Sequence, residues 1–109
     1  MISLLKLLVF VYTLIFMNVN IIFAQDIEAG GQIFSQNCSA CHANGKNLVN
    51  PEKTLEKEVL AKFEMNDTEA IIKQVTYGKN AMPAFGERLE LNDIQNVASY
   101  VLNQSELGW

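Results

Sequence analysis

Cys38-Ser39-Ala40-Cys41-His42 places two thiols and an imidazole within five residues. Two cysteines separated by two residues, with histidine directly after the second, form the covalent attachment site of a c-type haem. The spacing has a geometric reason. Residues three apart on a helical turn share one face, so both thiols can reach the vinyl groups along one edge of a porphyrin. His42 follows four residues after Cys38 and falls beneath the ring, where an imidazole nitrogen can bind iron. The chain has two cysteines and one histidine, so a single cofactor consumes them all.

Other uses of these residues fit poorly. A structural zinc site takes four ligands, usually as two separated pairs, and the sequence has no second pair. A thioredoxin-like dithiol sits in a strand-helix alternation, and no strand-like run follows the N-terminal segment. A plain disulfide would leave His42 without a role.

Iron held by His42 presents a second axial face. An open face suits ligand binding or peroxidase chemistry; a filled one suits electron transfer. With one histidine in the chain, bis-histidine ligation is excluded. Met65 and Met82 are the methionines beyond residue 24. Met82 sits in Gly78-Lys79-Asn80-Ala81-Met82-Pro83-Ala84-Phe85-Gly86, where Pro83 disfavours helix at the preceding residue. Its thioether can therefore project from an extended loop over the haem. Met65 lies in a polar stretch between two expected helices and suits a surface or core-edge role. A thioether is soft and favours ferrous iron, so His42/Met82 ligation implies a raised reduction potential and a one-electron shuttle, not an enzyme. The rival class is a small peroxidase or sensor with an exchangeable sixth ligand. Met82, and the absence of a distal His or Arg acid-base pair, stand against it.

The first 24 residues read as a cleaved secretory signal peptide. Lys6 supplies a positive start, Leu7 to Phe16 an apolar run, and Ala24 a small residue at the cut. The run is shorter than the roughly 20 residues that span a bilayer, so no stable membrane insertion is expected after cleavage. An organelle transit peptide would be rich in Arg and Ser; this segment has one Lys, no Arg and one Ser. It suits crossing one energised membrane, from a bacterial cytoplasm or a plastid stroma. Residues 25–109 form a single small domain. Lys6 leaves with the leader, so seven bases face twelve acids and the charge is near −5. That balance disfavours nucleic acid as a partner.

The elements that must position these groups are helical. Asp26 is a candidate N-cap for a helix through Ile27, Gly30, Ile33, Phe34 and Asn37 into the Cys-His motif. Gly30 costs helix propensity, which suggests close approach by another helix. A loop spans Asn44 to Pro51. A second helix is expected from Thr54 to about Glu64, with Leu55, Val59, Leu60 and Phe63 inward. A third starts near Asn66 or Asp67, where Asn66 and Glu69 resemble a capping box, and stops at Gly78. The last starts at Asn92 with Gln95 and carries Ile94, Val97, Ala98, Val101 and Leu102 as one stripe. The expected fold is all-α, about four helices around one haem.

These residues resemble the cytochrome c6 family across Gln25 to Trp109. The resemblance rests on the Cys38 to His42 motif, Asn80-Ala81-Met82-Pro83-Ala84-Phe85-Gly86, and the ending Tyr100-Val101-Leu102 with Ser105-Glu106-Leu107-Gly108-Trp109. It implies a class I cytochrome c fold and a soluble carrier in the thylakoid lumen of algae and cyanobacteria. Its implied partners are the cytochrome b6f complex as donor and photosystem I as acceptor; the rival among carriers is a periplasmic donor to a terminal oxidase. It further implies that Gly30 and Phe34 join the first and last helices, and that the Pro51 carbonyl holds the His42 ring. Arg88 matches a basic docking position at the haem edge, or is an ordinary solvated charge, with Ala84 and Phe85 as apolar docking contacts. Three departures stand out: a polar Asn50 before Pro51, a second glycine at Gly31, and Thr76 where many relatives carry Gln, which would shift the potential.

Overall fold

The computed structural model describes residues 3–22 and 26–109. The expected cleavage point after Ala24 lies outside them. Helix α1 runs over Leu4–Ile22, and its side chains from Leu4 to Leu14 are exposed. No helix is long and apolar enough to cross a membrane among the described residues. There is no strand among them either, only an isolated bridge between Lys79 and Met82. The all-α expectation holds: beyond residue 25 the chain forms four helices, α2 (Ile27–Asn37), α4 (Lys57–Lys62), α5 (Thr68–Tyr77) and α6 (Leu91–Leu107), with a single turn α3 (Ser39–His42) and a 3₁₀ turn (Ala43–Gly45) after α2.

Helix α2 covers Ile27–Asn37, capped as expected by Asp26, whose carboxylate accepts the Ala29 N–H at 2.9 Å. Its Gly30 and Phe34 face inward. Helix α6, Leu91–Leu107, crosses α2 at Gly30. A Cβ on Gly30 would stand 2.1 Å from the Asn96 carbonyl oxygen, so two backbones meet where no side chain fits. The buried Asn96 side chain adds a polar tie, its Oδ1 accepting the Asp26 N–H at 3.2 Å. Gly31, one of the departures, has a packing reason: a Cβ there would lie 3.0 Å from the Tyr100 ring.

The stripe on α6 is the centre of the core. Ile94, Val97, Ala98 and Val101 are buried, with Phe34, Leu60, Ile71, Val75 and Phe85 packed around them. The start of α6 lies two residues before the expected one. Glu90 is the N-cap, and the Asp93 carboxylate accepts its N–H at 3.1 Å, so an acidic pair does the work expected of Asn92 and Gln95. Helix α5, Thr68–Tyr77, is likewise capped by Asp67, not Asn66; the Asp67 carboxylate accepts the Ala70 N–H at 3.1 Å. It stops at Gly78 as expected, with φ 71°.

The second expected helix is the largest misreading. Helix α4 spans only Lys57–Lys62. Thr54 and Leu55 stay outside it because tertiary partners take the backbone of Leu55. Its N–H donates to the Gly45 carbonyl at 2.7 Å, and its carbonyl accepts the Trp109 indole N–H at 2.8 Å. A helical Leu55 would need that carbonyl for an intrahelical bond. At the other end Glu64 turns into the left-handed region at φ 58°.

Candidate functional site

The Cys-His motif does not lie on one continuous helix. Helix α2 ends at Asn37, Cys38 adopts φ −118°, and a single turn, α3, restarts at Ser39–His42. Within that turn the Cys38 carbonyl accepts the N–H of Cys41 at 3.2 Å and of His42 at 2.9 Å. The three side chains share the wall of one cavity of about 460 Å³. Phe34 from α2, Ile71 and Val75 from α5, and Val97 and Val101 from α6 line the rest with apolar surface. Its size lies within the range usual for ligand sites.

A short 3₁₀ turn over Ala43–Gly45 follows the motif, with Asn44 at φ 58° and Gly45 at φ 74°. These left-handed residues fold the chain back, so that the Lys46 carbonyl lies 3.0 Å from His42 Nδ1. A carbonyl can only accept, so Nδ1 carries the proton and Nε2 keeps a free lone pair. This corrects the resemblance-based role of Pro51. The reversal is local, four residues on from His42, and Lys46 reaches the ring before the loop arrives at Pro51. Asn50 lines the cavity, and its N–H is held by Asn47 Oδ1 at 2.8 Å.

Met82 enters the same cavity from the loop after α5. Lys79 and Met82 exchange backbone hydrogen bonds, each N–H donating to the other's carbonyl at 3.0 Å, across a turn with Asn80 at φ 54°. Phe85 and Gly86 donate their N–H groups to the carbonyls of Val75 at 2.9 Å and Thr76 at 3.1 Å. The loop is thus sewn to the end of α5, which fixes where the thioether points. Met65 also lines the cavity, from the link between α4 and α5.

Sequence reading missed Gln74. Its Nε2 lies 3.8 Å from the Met82 sulfur and donates to it. Thr76 plays no such part: its hydroxyl donates to the Ile72 carbonyl at 2.6 Å within α5. The expectation that Thr76 replaces a glutamine beside the ligand is therefore corrected, because the glutamine is two residues earlier. The signal lay in the spacing. Gln74 follows Ile71 by three on the inward side of an amphipathic helix, where a half-buried amide needs a partner.

The residues expected at a docking surface differ in exposure. Phe85 is only 6% exposed and belongs to the core, so it offers no surface contact. Ala84 is exposed as expected, and Pro83 beside it is exposed too. Arg88 is exposed, with its guanidinium 4.6 Å from the centre of the Phe85 ring.

The chemistry of the donor set fits a covalent haem. Burial, reinforced by nearby Cys41, pushes the Cys38 thiol up to about 11. A redox dithiol depends on a cysteine whose pKa is lowered, so this pair is poorly made for disulfide exchange. No three His, Cys, Asp or Glu side chains come together as a metal cluster among the described residues. Two thiols, an imidazole with Nε2 free and a thioether instead share one apolar cavity.

Comparison with known proteins agrees with this chemistry. Residues 25–101 match the family model described as cytochrome c oxidase, cbb3-type, subunit III. The chain is 62% identical over 92 residues to cytochrome c6 of Gracilaria tenuistipitata var. liui, covering 84% of this chain and 85% of that one. It is 61% identical over 84 residues to cytochrome c6 of Bumilleriopsis filiformis, covering 77% of this chain and 98% of the relative. The crystal structure of cytochrome c6 from the diatom Phaeodactylum tricornutum superposes with a TM-score of 0.75 at 57% identity, covering 77% of this chain and 99% of that one. Identity of 61% along nearly the whole of a relative, on the helical frame of the diatom protein, places the chain in the cytochrome c6 family.

Proposed function

We propose that this protein is a soluble one-electron carrier whose haem c is held by thioethers from Cys38 and Cys41 and ligated by His42 and Met82. The observation that carries this reading is the convergence of those four side chains on one apolar cavity, with His42 Nδ1 spent on the Lys46 carbonyl. Bound haem supplies a reversible one-electron couple, and a histidine/methionine pair sets it high. The protein's share is placement and exclusion. Lys46 fixes the imidazole with Nε2 free, and the Lys79–Met82 turn fixes the thioether. With haem bound, the apolar walls from α2, α5 and α6 would exclude water, and His42 and Met82 would hold the iron against exchange with peroxide or oxygen.

The physiological reading follows the family: electrons pass from the cytochrome b6f complex to photosystem I in the thylakoid lumen. Residues 1–24 serve as a leader removed near Ala24, leaving 25–109 as the mature domain. Its size is supported by the Bumilleriopsis relative, which 84 residues of this chain span along 98% of its length. The protein purified from a maturation-competent host should weigh one haem more than its mature polypeptide after denaturation. Recovery of an apoprotein with two free thiols would sink the reading. Its reduced form should re-reduce photo-oxidised photosystem I in flash kinetics. Donation to a terminal oxidase alone would assign the carrier to a different chain.

A further inference from the structure

Trp109 is not among the residues that line the cavity, yet it touches both ends of the loop on its histidine side. Gly108, at φ 94°, turns the chain back after α6. Gln104 holds this turn twice: its carbonyl accepts the Gly108 N–H at 2.9 Å, and its side-chain amide donates to the Gly108 carbonyl at 2.9 Å. The turn lays the indole on Gly45, where a Cβ would stand 2.3 Å from Trp109 Cγ. The indole N–H donates to the Leu55 carbonyl at 2.8 Å, and the Leu55 N–H donates to the Gly45 carbonyl at 2.7 Å. One side chain therefore clasps the beginning and the end of loop 45–55.

The interior of that loop is wired to the same clasp. The Asn47 side-chain amide donates to the Lys53 carbonyl at 2.9 Å, while its Oδ1 accepts the N–H of Val49 and of Asn50. Lys46, adjacent to Gly45, carries the carbonyl that meets His42 Nδ1 at 3.0 Å. Lys46 is itself exposed, so no packing around its own side chain holds that carbonyl in place.

We infer that Trp109 is a positioning residue for His42, acting through Gly45, Leu55 and the Lys46 carbonyl. The inference rests on His42 being the axial ligand proposed above. A carbonyl that accepts the Nδ1 proton makes the imidazole a stronger donor through Nε2 and steadies its plane. Loosening the clasp lets the carbonyl stray. The ring then becomes a weaker donor, and ferric iron loses part of its preference.

The competing account is that Trp109 only packs, since its ring lies 5.3 Å from that of Phe34 and 6.2 Å from that of Tyr100. Trp109→Phe keeps an aromatic ring on Gly45 but deletes the N–H donor; Trp109→Ala removes both. Leu102→Ala serves as the stability control, because Leu102 packs on the core without lining the cavity. Each holoprotein is measured for thermal midpoint, midpoint potential and solvent exchange of the His42 Nδ1 proton by NMR. Trp109→Phe should speed that exchange about fivefold, as expected for one lost hydrogen bond. It should also raise the potential, with Trp109→Ala, where it folds, moving both further. Leu102→Ala should lower the thermal midpoint and leave exchange and potential at wild-type values. Wild-type exchange and potential in Trp109→Phe would reduce Trp109 to packing and overturn the inference, as would equal shifts in Leu102→Ala. Absence of an iron-shifted His42 ring in the wild type would instead overturn the ligand assignment.

Discussion

The amide of Gln74, on the last turn of α5, donates to the Met82 sulfur across 3.8 Å. The contact joins a rigid helix to the loop that carries the proposed sixth ligand. An N–H aimed at a thioether draws density from the lone pairs that would otherwise reach iron. It makes sulfur a poorer partner for ferric iron and so favours the ferrous state. Amide and thioether thus push the potential in one direction.

Gln74→Leu should therefore lower the midpoint potential. A neutral hydrogen bond contributes about 0.5–1.5 kcal/mol, or roughly 20–60 mV for one electron. Protein-film voltammetry would measure it. Thr76→Val should leave the potential close to wild type, because the Thr76 hydroxyl is spent on the Ile72 carbonyl. A larger shift at Thr76 than at Gln74 would reverse the assignment.

Met82 and Met65 both line the cavity, so they need a direct comparison. Met82→Ala should abolish the weak far-red sulfur-to-iron band of the oxidised protein, lower the potential and open reduced iron to carbon monoxide. Met65→Ala should keep the band. Loss of the band in the Met65 variant alone would move the ligand to the other loop.

Gly30→Ala tests the helix crossing. Alanine would recover about 1 kcal/mol of helix propensity, but its Cβ would sit 2.1 Å from the Asn96 carbonyl oxygen. Overpacking of this kind costs about 1–3 kcal/mol, and backbone cannot yield as a flexible side chain can. A net loss is expected, with a thermal midpoint lower by roughly 5 °C or more. An unchanged or raised midpoint would mean that α2 and α6 separate without cost.

Arg88 is exposed beside the loop that carries Met82, stacked on Phe85. Charge at the rim of a transient interface acts mainly on association rate and its salt dependence. Arg88→Glu should slow re-reduction of photosystem I most at low salt while leaving spectrum and potential nearly unchanged. Equal rates at low and moderate salt would remove Arg88 from the docking surface.

Much of the proposed chemistry is legible in the sequence. The Cys38, Cys41 and His42 spacing, the Pro83-restrained loop at Met82 and the stripe on α6 are local patterns, and local patterns survive the absence of a fold. Asp26 and Gly78 marked helix ends correctly for the same reason. Misreadings gathered where a distant residue decided the outcome. Leu55 carries a good helical pattern, yet Gly45 and Trp109 take its backbone groups. Phe85 stands in an exposed-looking loop, yet the bonds from Phe85 and Gly86 to the end of α5 draw its ring into the core.

The sequence by itself determined the helical class, and it named the candidate donor residues and the cofactor they suit, because each depends on residue type and short spacing. Tertiary structure alone decided which partners tune those donors. Lys46 rather than Pro51 holds His42, and Gln74 rather than Thr76 reaches Met82. Hydrogen bonds of this kind depend on where left-handed turns and packed helices bring an amide or a carbonyl to within a few ångströms. The first contact rests on the left-handed turn at Asn44 and Gly45 and the second on the bonds that pin the Met82 loop to the end of α5, and residue type alone shows neither.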